Sequence, residues 1–125
     1  MIVSNICNKK TPDGELIIAN GTLTSSKQPS DGRYNETIGP VSKSVAYNII
    51  VLQTDDYSVE YDCGEELGFT NYCVHILSRQ STLNQTIINS LLQLAEQYDL
   101  NPRKLDFVLT KQTNCTYPTQ PAQKY

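Results

Sequence analysis

Residues 47–63 read YNIIVLQTDDYSVEYDC, and this stretch decides the fold class of the chain. Residues 47–53 are rich in apolar and β-branched side chains, which is typical of a strand. Asp55 and Asp56 predict a tight turn, after which residues 57–63 alternate apolar with polar side chains. A period of two sends successive side chains to opposite faces of a strand, so the two faces meet different surroundings. The stretch therefore predicts an antiparallel hairpin.

Further strands are predicted on both sides of this hairpin. Four more runs have the length and composition of strands, at residues 2–7, 15–19, 33–38 and 72–77. Turn signals separate them: Asp13-Gly14, a polar loop over residues 25–32, and a Gly-flanked loop over residues 64–68. The pattern indicates about six short antiparallel strands connected as a meander.

The spacing of apolar residues changes from strand-like to helical after Thr82. The stripe that recurs at helical spacing is Ile87, Ile88, Leu91, Leu92 and Ala95. We expect Asn84 or a neighbouring hydroxyl residue to cap this helix and Asn101-Pro102 to end it. The stripe should pack against the outside of the sheet, and residues 105–109 predict a last short strand.

Length and charge argue against several classes of protein. At 125 residues the chain is one domain, which we assign to residues 1–115 with a flexible tail at residues 116–125. The net charge is -3 and no basic run is present, so we expect no nucleic-acid partner. No apolar run is long enough for a membrane span. No nucleophile–base–orienter set is visible, so we expect neither an enzyme nor a cofactor.

Two features favour a secreted protein, although residues 1–7 do not read as a signal peptide. Four N-glycosylation sequons are present, where roughly two are expected by chance, at Asn20, Asn35, Asn84 and Asn114. Four cysteines lie far apart, without the paired short spacings of a zinc site, at Cys7, Cys63, Cys73 and Cys115. We therefore predict an extracellular location, disulfide bonds between distant strands, and no metal site.

Taken in order, several strings of the sequence resemble the lipocalin family. They are residues 47–55, 59–63 and 75–79, then the amphipathic helix, and finally Asn114-Cys115. Thr54-Asp55 is similar to the second signature of the family, and Arg79 to the third. Asp56 stands where the family usually has an aromatic residue. The first signature, Gly-x-Trp, is absent because the chain has no Trp.

The resemblance implies a mainly β, lipocalin-like antiparallel meander barrel with one C-terminal α-helix and a final short strand. The barrel would be incomplete, with about six strands, because residues 2–7 correspond to the third strand of the family. The two open edges would allow a homo-oligomer. The implied function is a secreted binder or carrier of a small hydrophobic molecule, such as a pigment, sterol, retinoid or fatty acid. The alternative is a secreted inhibitor or interaction protein that uses its loops and holds no ligand.

The resemblance also implies which side chains face a bound ligand. These are Tyr47, Ile49, Val51, Ser58, Glu60, Cys73, His75 and Leu77. His75, Glu60 and Tyr47 would be the polar anchors. The alternatives are a half-buried strand histidine bonded to a neighbour, a glutamate exposed at the mouth, and a cysteine that acts only as a small apolar side chain.

The family's disulfides imply two pairings for this chain. Cys63 and Cys115 correspond to cysteines whose partners in the family are absent here. Cys7 is then the nearest substitute partner for Cys115, and Cys63 could pair with Cys73 if the hairpin register permits.

Overall fold

The computed structural model describes residues 2–8, 14–25, 27–38 and 44–113, with the backbone alone for residues 2–8, 16, 17 and 66. In chain order the elements are β1 Ile2–Asn8, β2 Leu16–Thr24, β3 Arg33–Ile38, β4 Ser44–Gln53, β5 Tyr57–Glu66, β6 Phe69–Ser78 and α1 Gln85–Gln97. Each strand pairs antiparallel with the next, which confirms the predicted meander. In this described sheet β1 and β6 are the two edges and do not pair, so the sheet is not closed into a barrel.

The pairing of β4 with β5 contains a β-bulge. Ile49 and Val51 pair with the consecutive residues Glu60 and Val59, which leaves Ile50 as one extra residue on β4. An extra residue changes the face on which the following side chains lie. Ile50 and Val51 consequently pack against the core beneath the helix. The ligand-facing orientation expected for Val51 is therefore wrong.

The core lies between α1 and the face of the sheet on which Val59 sits. Val59 is fully buried, and Leu91, Ala95 and Leu100 are buried with it. Half-buried side chains surround this cluster: Ile50, Val51, Tyr57, Tyr61, Val74, Ile76, Leu83 and Ile87. Ile87, Leu91 and Ala95 of the predicted helical stripe thus pack in the core between helix and sheet.

The helix ends earlier than Asn101-Pro102, because the chain turns at Asp99. Asp99 has a positive φ of 51°, and the Leu100 N–H donates to the Ala95 carbonyl at 2.9 Å. This is a Schellman arrangement, in which the residue after the left-handed position folds back onto the helix. The turn ends α1 at Gln97 and brings Leu100 into the core. No helix in the described ranges is long and apolar enough to cross a membrane.

Residues 105–109 do not form the predicted last strand. The Asn101 side chain accepts a hydrogen bond from the Leu105 N–H at 3.0 Å and donates one to the Leu105 carbonyl at 2.7 Å. These two bonds satisfy the Leu105 backbone groups that a strand partner would otherwise take. Farther along, Val108 and Leu109 are each 88% exposed. The segment is apolar enough for a strand, but no described strand pairs with it.

A two-residue turn joins β5 to β6, in place of the predicted loop over residues 64–68. Glu66 pairs with Phe69, so only Leu67 and Gly68 form the turn. Both have positive φ, 51° and 80°, which is the geometry of a type I′ turn. Gly68 adopts this conformation freely, whereas Leu67 is strained there and is 91% exposed.

Replacing Leu67 by Asn should stabilise the protein by about 0.5–1 kcal/mol, because Asn tolerates the left-handed region and Asn-Gly favours type I′ turns. Urea unfolding measures the change. The matched control is Leu67→Val, which should lower stability because a β-branched side chain fits this conformation poorly. An Asn variant that is no more stable than the parent would contradict the turn geometry.

Candidate functional site

The face of the sheet that points away from α1 carries a group of polar side chains at its centre. We call this group the polar face; its members are Glu36, Tyr47, Ser58, Glu60, Asp62, Cys73 and His75. Strand alternation places them on one side, because every second residue of a strand shares a face. The register then aligns them, since Glu60 pairs with His75 and Asp62 with Cys73. Side chains from four strands therefore meet on this face.

Two hydroxyl groups hold the Glu60 carboxylate in place. The Tyr47 hydroxyl donates to Oε2 of Glu60, and the Ser58 hydroxyl donates to Oε1 at 2.8 Å. Burial, and then the hydrogen bond to Glu60, raise the pKa of Tyr47 well above its usual range, so the phenol stays protonated as a donor. Glu60 is therefore an oriented acceptor with restricted freedom.

Next to this pair, Asp62 contacts both His75 and Cys73. His75 Nε2 lies 3.0 Å from Asp62 Oδ2, and this hydrogen bond is the main cause that raises the pKa of His75, against the effect of burial. Burial, followed by the charge of Asp62, raises the pKa of the Cys73 thiol. A thiol with a raised pKa is a weak nucleophile. Burial and the charge of Asp62 therefore disfavour the thiolate form of Cys73.

Glu36 is a buried carboxyl at the β3 side of the polar face, with 8% of its surface exposed. Burial is the main cause that raises the pKa of Glu36, and the charges of Asp62 and Glu60 raise it further while His75 lowers it. Because the pKa is higher in the folded protein than in the unfolded chain, ionised Glu36 destabilises the fold. This destabilisation begins as the pH rises past the ordinary value of 4.5.

Replacing Glu36 by Gln should therefore stabilise the fold at pH 7, and the gain should shrink as the pH falls below 4.5, where Glu36 is protonated in both states. Urea unfolding at a series of pH values measures the difference from the parent. Glu65→Gln is the matched control, since Glu65 is exposed on β5 and its replacement should change stability little. A gain that grows toward low pH would be inconsistent with the buried position of Glu36.

Exposed apolar side chains lie beside the polar group on the same face. Leu52, Ser58 and Leu77 form one row across β4, β5 and β6. Leu52 is 57% exposed and Leu77 is 48% exposed. Ile49 lies in the next row, opposite Glu60. An apolar surface therefore adjoins the oriented carboxylate.

Seven of the eight predicted ligand-binding residues lie on the face away from α1: Tyr47, Ile49, Ser58, Glu60, Cys73, His75 and Leu77. Val51 is the exception, because of the bulge. Glu36, Leu52 and Asp62 also lie on this face and were not among the predicted residues. Asp62 lies two residues after Glu60 and shares its face by strand alternation, whereas Leu52 reaches this face only through the bulge.

Cys63 and Cys73 are free thiols on opposite faces of the β5–β6 hairpin. Cys73 lies opposite Asp62, so Cys63 is displaced by one residue and its side chain points to the other face. Two cysteines form a disulfide only when their Cβ vectors face each other. The predicted Cys63–Cys73 pairing is therefore wrong. Cys115 and the side chain of Cys7 lie outside the described residues.

Three of the predicted glycosylation positions fall within the described residues. Asn20 and Asn35 are exposed on strands. Asn84 is exposed as well, and its Oδ1 accepts a hydrogen bond from the Thr86 N–H at 2.8 Å, which confirms the predicted helix cap. A glycan attaches to the amide nitrogen, which this bond does not use. Asn114 lies outside the described residues.

An open depression of about 400 Å³ lies away from the polar face, lined by Lys27, Arg33, Tyr34, Asn35, Ala46 and Asn48. None of the predicted ligand-binding residues lines it. Lys27 and Arg33 both bind the Asp31 carboxylate, with the Lys27 Nζ at 2.9 Å and the Arg33 Nε at 3.0 Å. Because both cations already have a partner, the depression offers no unpaired charge to a ligand.

The two signature positions that resemble the lipocalin family contact each other. The Arg79 Nε donates to the Thr54 carbonyl at 3.1 Å, and the Arg79 N–H donates to the Asp56 carbonyl at 2.8 Å. No model of a known protein family matches the chain, and no curated protein matches it. The family resemblance therefore stays a prediction.

Proposed function

We propose that this protein binds a small hydrophobic molecule with one polar end, on the face of the sheet away from α1. The observation that carries the proposal is that the exposed row of Leu52 and Leu77 adjoins the oriented Glu60 carboxylate. Large apolar side chains grouped on a sheet face, rather than scattered singly, commonly mark a binding surface. A few placed polar groups beside such a surface would set the orientation of the ligand.

The charges on the polar face favour a hydroxyl over a carboxylate as the polar end of the ligand. The polar face carries three carboxyl groups, those of Glu36, Glu60 and Asp62, and its one basic group is the imidazole of His75. A ligand carboxylate would be repelled by this excess of negative charge, whereas a hydroxyl donates a hydrogen bond to Glu60. Among the predicted ligand classes, sterols and retinol therefore fit better than fatty acids.

Retinol and retinoic acid share their apolar part and differ in the polar end, so they form a matched pair of probes. Fluorescence titration of the full chain, with a chelator present, should show saturable binding of retinol and weaker binding of retinoic acid. Leu77→Ser should weaken retinol binding by about tenfold or more, because a buried leucine contributes about 1.5–3 kcal/mol and 1.4 kcal/mol is tenfold.

The matched control for this titration is Leu109→Ser, since Leu109 is 88% exposed and lies outside the sheet. It should leave retinol binding unchanged. Absence of saturable binding, or an equal loss in the Leu77 and Leu109 variants, would reject the proposal. A preference for retinoic acid would reject the assignment of the polar end.

The extracellular location predicted from the sequons belongs to the same proposal. The exposure of Asn20, Asn35 and Asn84 supports it, because glycan acceptors must be accessible on the surface. Transport of a poorly soluble molecule between cells would require such a location.

A second candidate is an interaction protein that holds no ligand and self-associates. The exposed apolar side chains of residues 105–109 favour it, above all Val108 and Leu109. Sedimentation at increasing concentration should then show a dimer that Leu109→Asp weakens. A chain that stays monomeric at every concentration would count against this candidate.

A further inference from the structure

Three side chains of the polar face bring a carboxylate, a thiol and an imidazole together. One donor atom from each of Asp62, Cys73 and His75 lies within 4.8 Å of the other two. Cys73 lies opposite Asp62 across the β5–β6 pair, and His75 follows two residues later on β6, so both point to the same side. Regular strand pairing therefore brings three different metal-ligating groups to one point.

We propose that Asp62, Cys73 and His75 bind a divalent transition-metal cation of the zinc class, with the fourth position open to water or a ligand. Thiolate sulfur, imidazole nitrogen and carboxylate oxygen are the donors that Zn²⁺ takes in proteins. Three protein ligands with one open position are typical of reactive or ligand-binding zinc sites, whereas structural sites have four. The proposal does not depend on the binding of a small hydrophobic molecule.

The distances are compatible with tetrahedral coordination. With metal–ligand bonds of about 2.0–2.3 Å, neighbouring donor atoms of a tetrahedral zinc site are about 3.3–3.8 Å apart. His75 Nε2 and Asp62 Oδ2 are 3.0 Å apart, and no pair of the three donor atoms is separated by more than 4.8 Å. Side-chain rotations that move the donor atoms by about 1 Å would complete the site without a change in the backbone.

Charge and access both favour a cation at this place. Glu60 lies opposite His75 on the neighbouring strand, and Glu36 is close enough for its charge to act on His75. A divalent cation would replace the hydrogen bond between His75 and Asp62 and would offset the negative charge of these groups. Cys73 is exposed and the His75 side chain is 45% exposed, so an ion reaches the donors from solvent.

The absence of short cysteine spacings does not exclude this site. Short spacings are needed where two ligands come from the same turn, as in zinc fingers. Here Asp62 and Cys73 come from different strands and are aligned by the hairpin. One histidine is then sufficient, because the thiol and the carboxylate supply the other two donors.

Titration of the reduced full chain with Co²⁺ tests the site, because a thiolate bound to cobalt gives a charge-transfer absorption band. We expect saturation at one ion per chain, with displacement by Zn²⁺. Cys73→Ser should abolish the band and weaken Zn²⁺ binding by more than about 100-fold, since loss of even an outer-shell partner costs about 10–100-fold. Asp62→Asn should keep the band and weaken Zn²⁺ binding.

The matched control is Cys63→Ser, which removes a free thiol from the opposite face of the same hairpin and should leave the band intact. A chain with Cys7, Cys63 and Cys115 all replaced by Ser should bind Co²⁺ as the parent does. Loss of the band in this chain, its persistence in Cys73→Ser, or no saturable binding by the parent would each overturn the proposal. Far-UV circular dichroism confirms that each variant is folded, and Asp62→Asn serves as the second test if Cys73→Ser is not.

Discussion

Between Ile49 and Val51, β4 carries one residue more than β5, and the division of side chains between the two faces depends on it. Before the bulge, Tyr47 and Ile49 point away from α1. At the bulge, Ile50 and Val51 add apolar surface to the core beneath the helix. Regular pairing would place one of these two side chains on the polar face. The core and the candidate site therefore depend on the same irregular pairing.

Residues 101–103, which follow α1, contact one face of the β5–β6 hairpin. The Tyr72 hydroxyl donates to Asn101 Oδ1 at 2.9 Å, and the Arg103 guanidinium lies 5.7 Å from the centre of the Tyr72 ring. Tyr72 also stacks on Tyr61, with ring centres 6.4 Å apart. Together with α1, these contacts cover the apolar face of the hairpin. They leave the opposite face, which carries His75, accessible to solvent.

Most of the fold follows from local patterns, and the exceptions have identifiable reasons. Residues 33–38 are a strand with the predicted bounds, and the helical spacing after Thr82 correctly indicates α1. The apolar run of residues 49–52 has no alternation, so it contains no sign of the bulge. Residues 105–109 have the composition of a strand, but strand formation requires a neighbouring edge, which is decided by tertiary structure.

The resemblance implied most of the side chains that share the face away from α1, but it did not imply their contacts with one another. The resemblance selected Ser58 and Glu60, and strand alternation extends that choice to Asp62. The contact of Asp62 with Cys73 depends on the register of β5 and β6, which the two-residue turn at Leu67-Gly68 determines. A longer loop, as expected from the glycines, leaves that register undefined. Contacts between side chains on two neighbouring strands are therefore the feature of the site that sequence patterns specify least.

The strict alternation of β6 has a consequence for the accuracy of folding. Val74 and Ile76 pack against the core, while Cys73 and His75 alternate with them and lie on the other face. A slip of one residue in this strand would expose both apolar side chains and press His75 beneath the helix, which is unfavourable for a polar group. The burial of Val74 and Ile76 therefore favours the one strand register that places Cys73 and His75 on the polar face. A hairpin paired in the shifted register is less stable, so it does not accumulate with the wrong donor groups on that face.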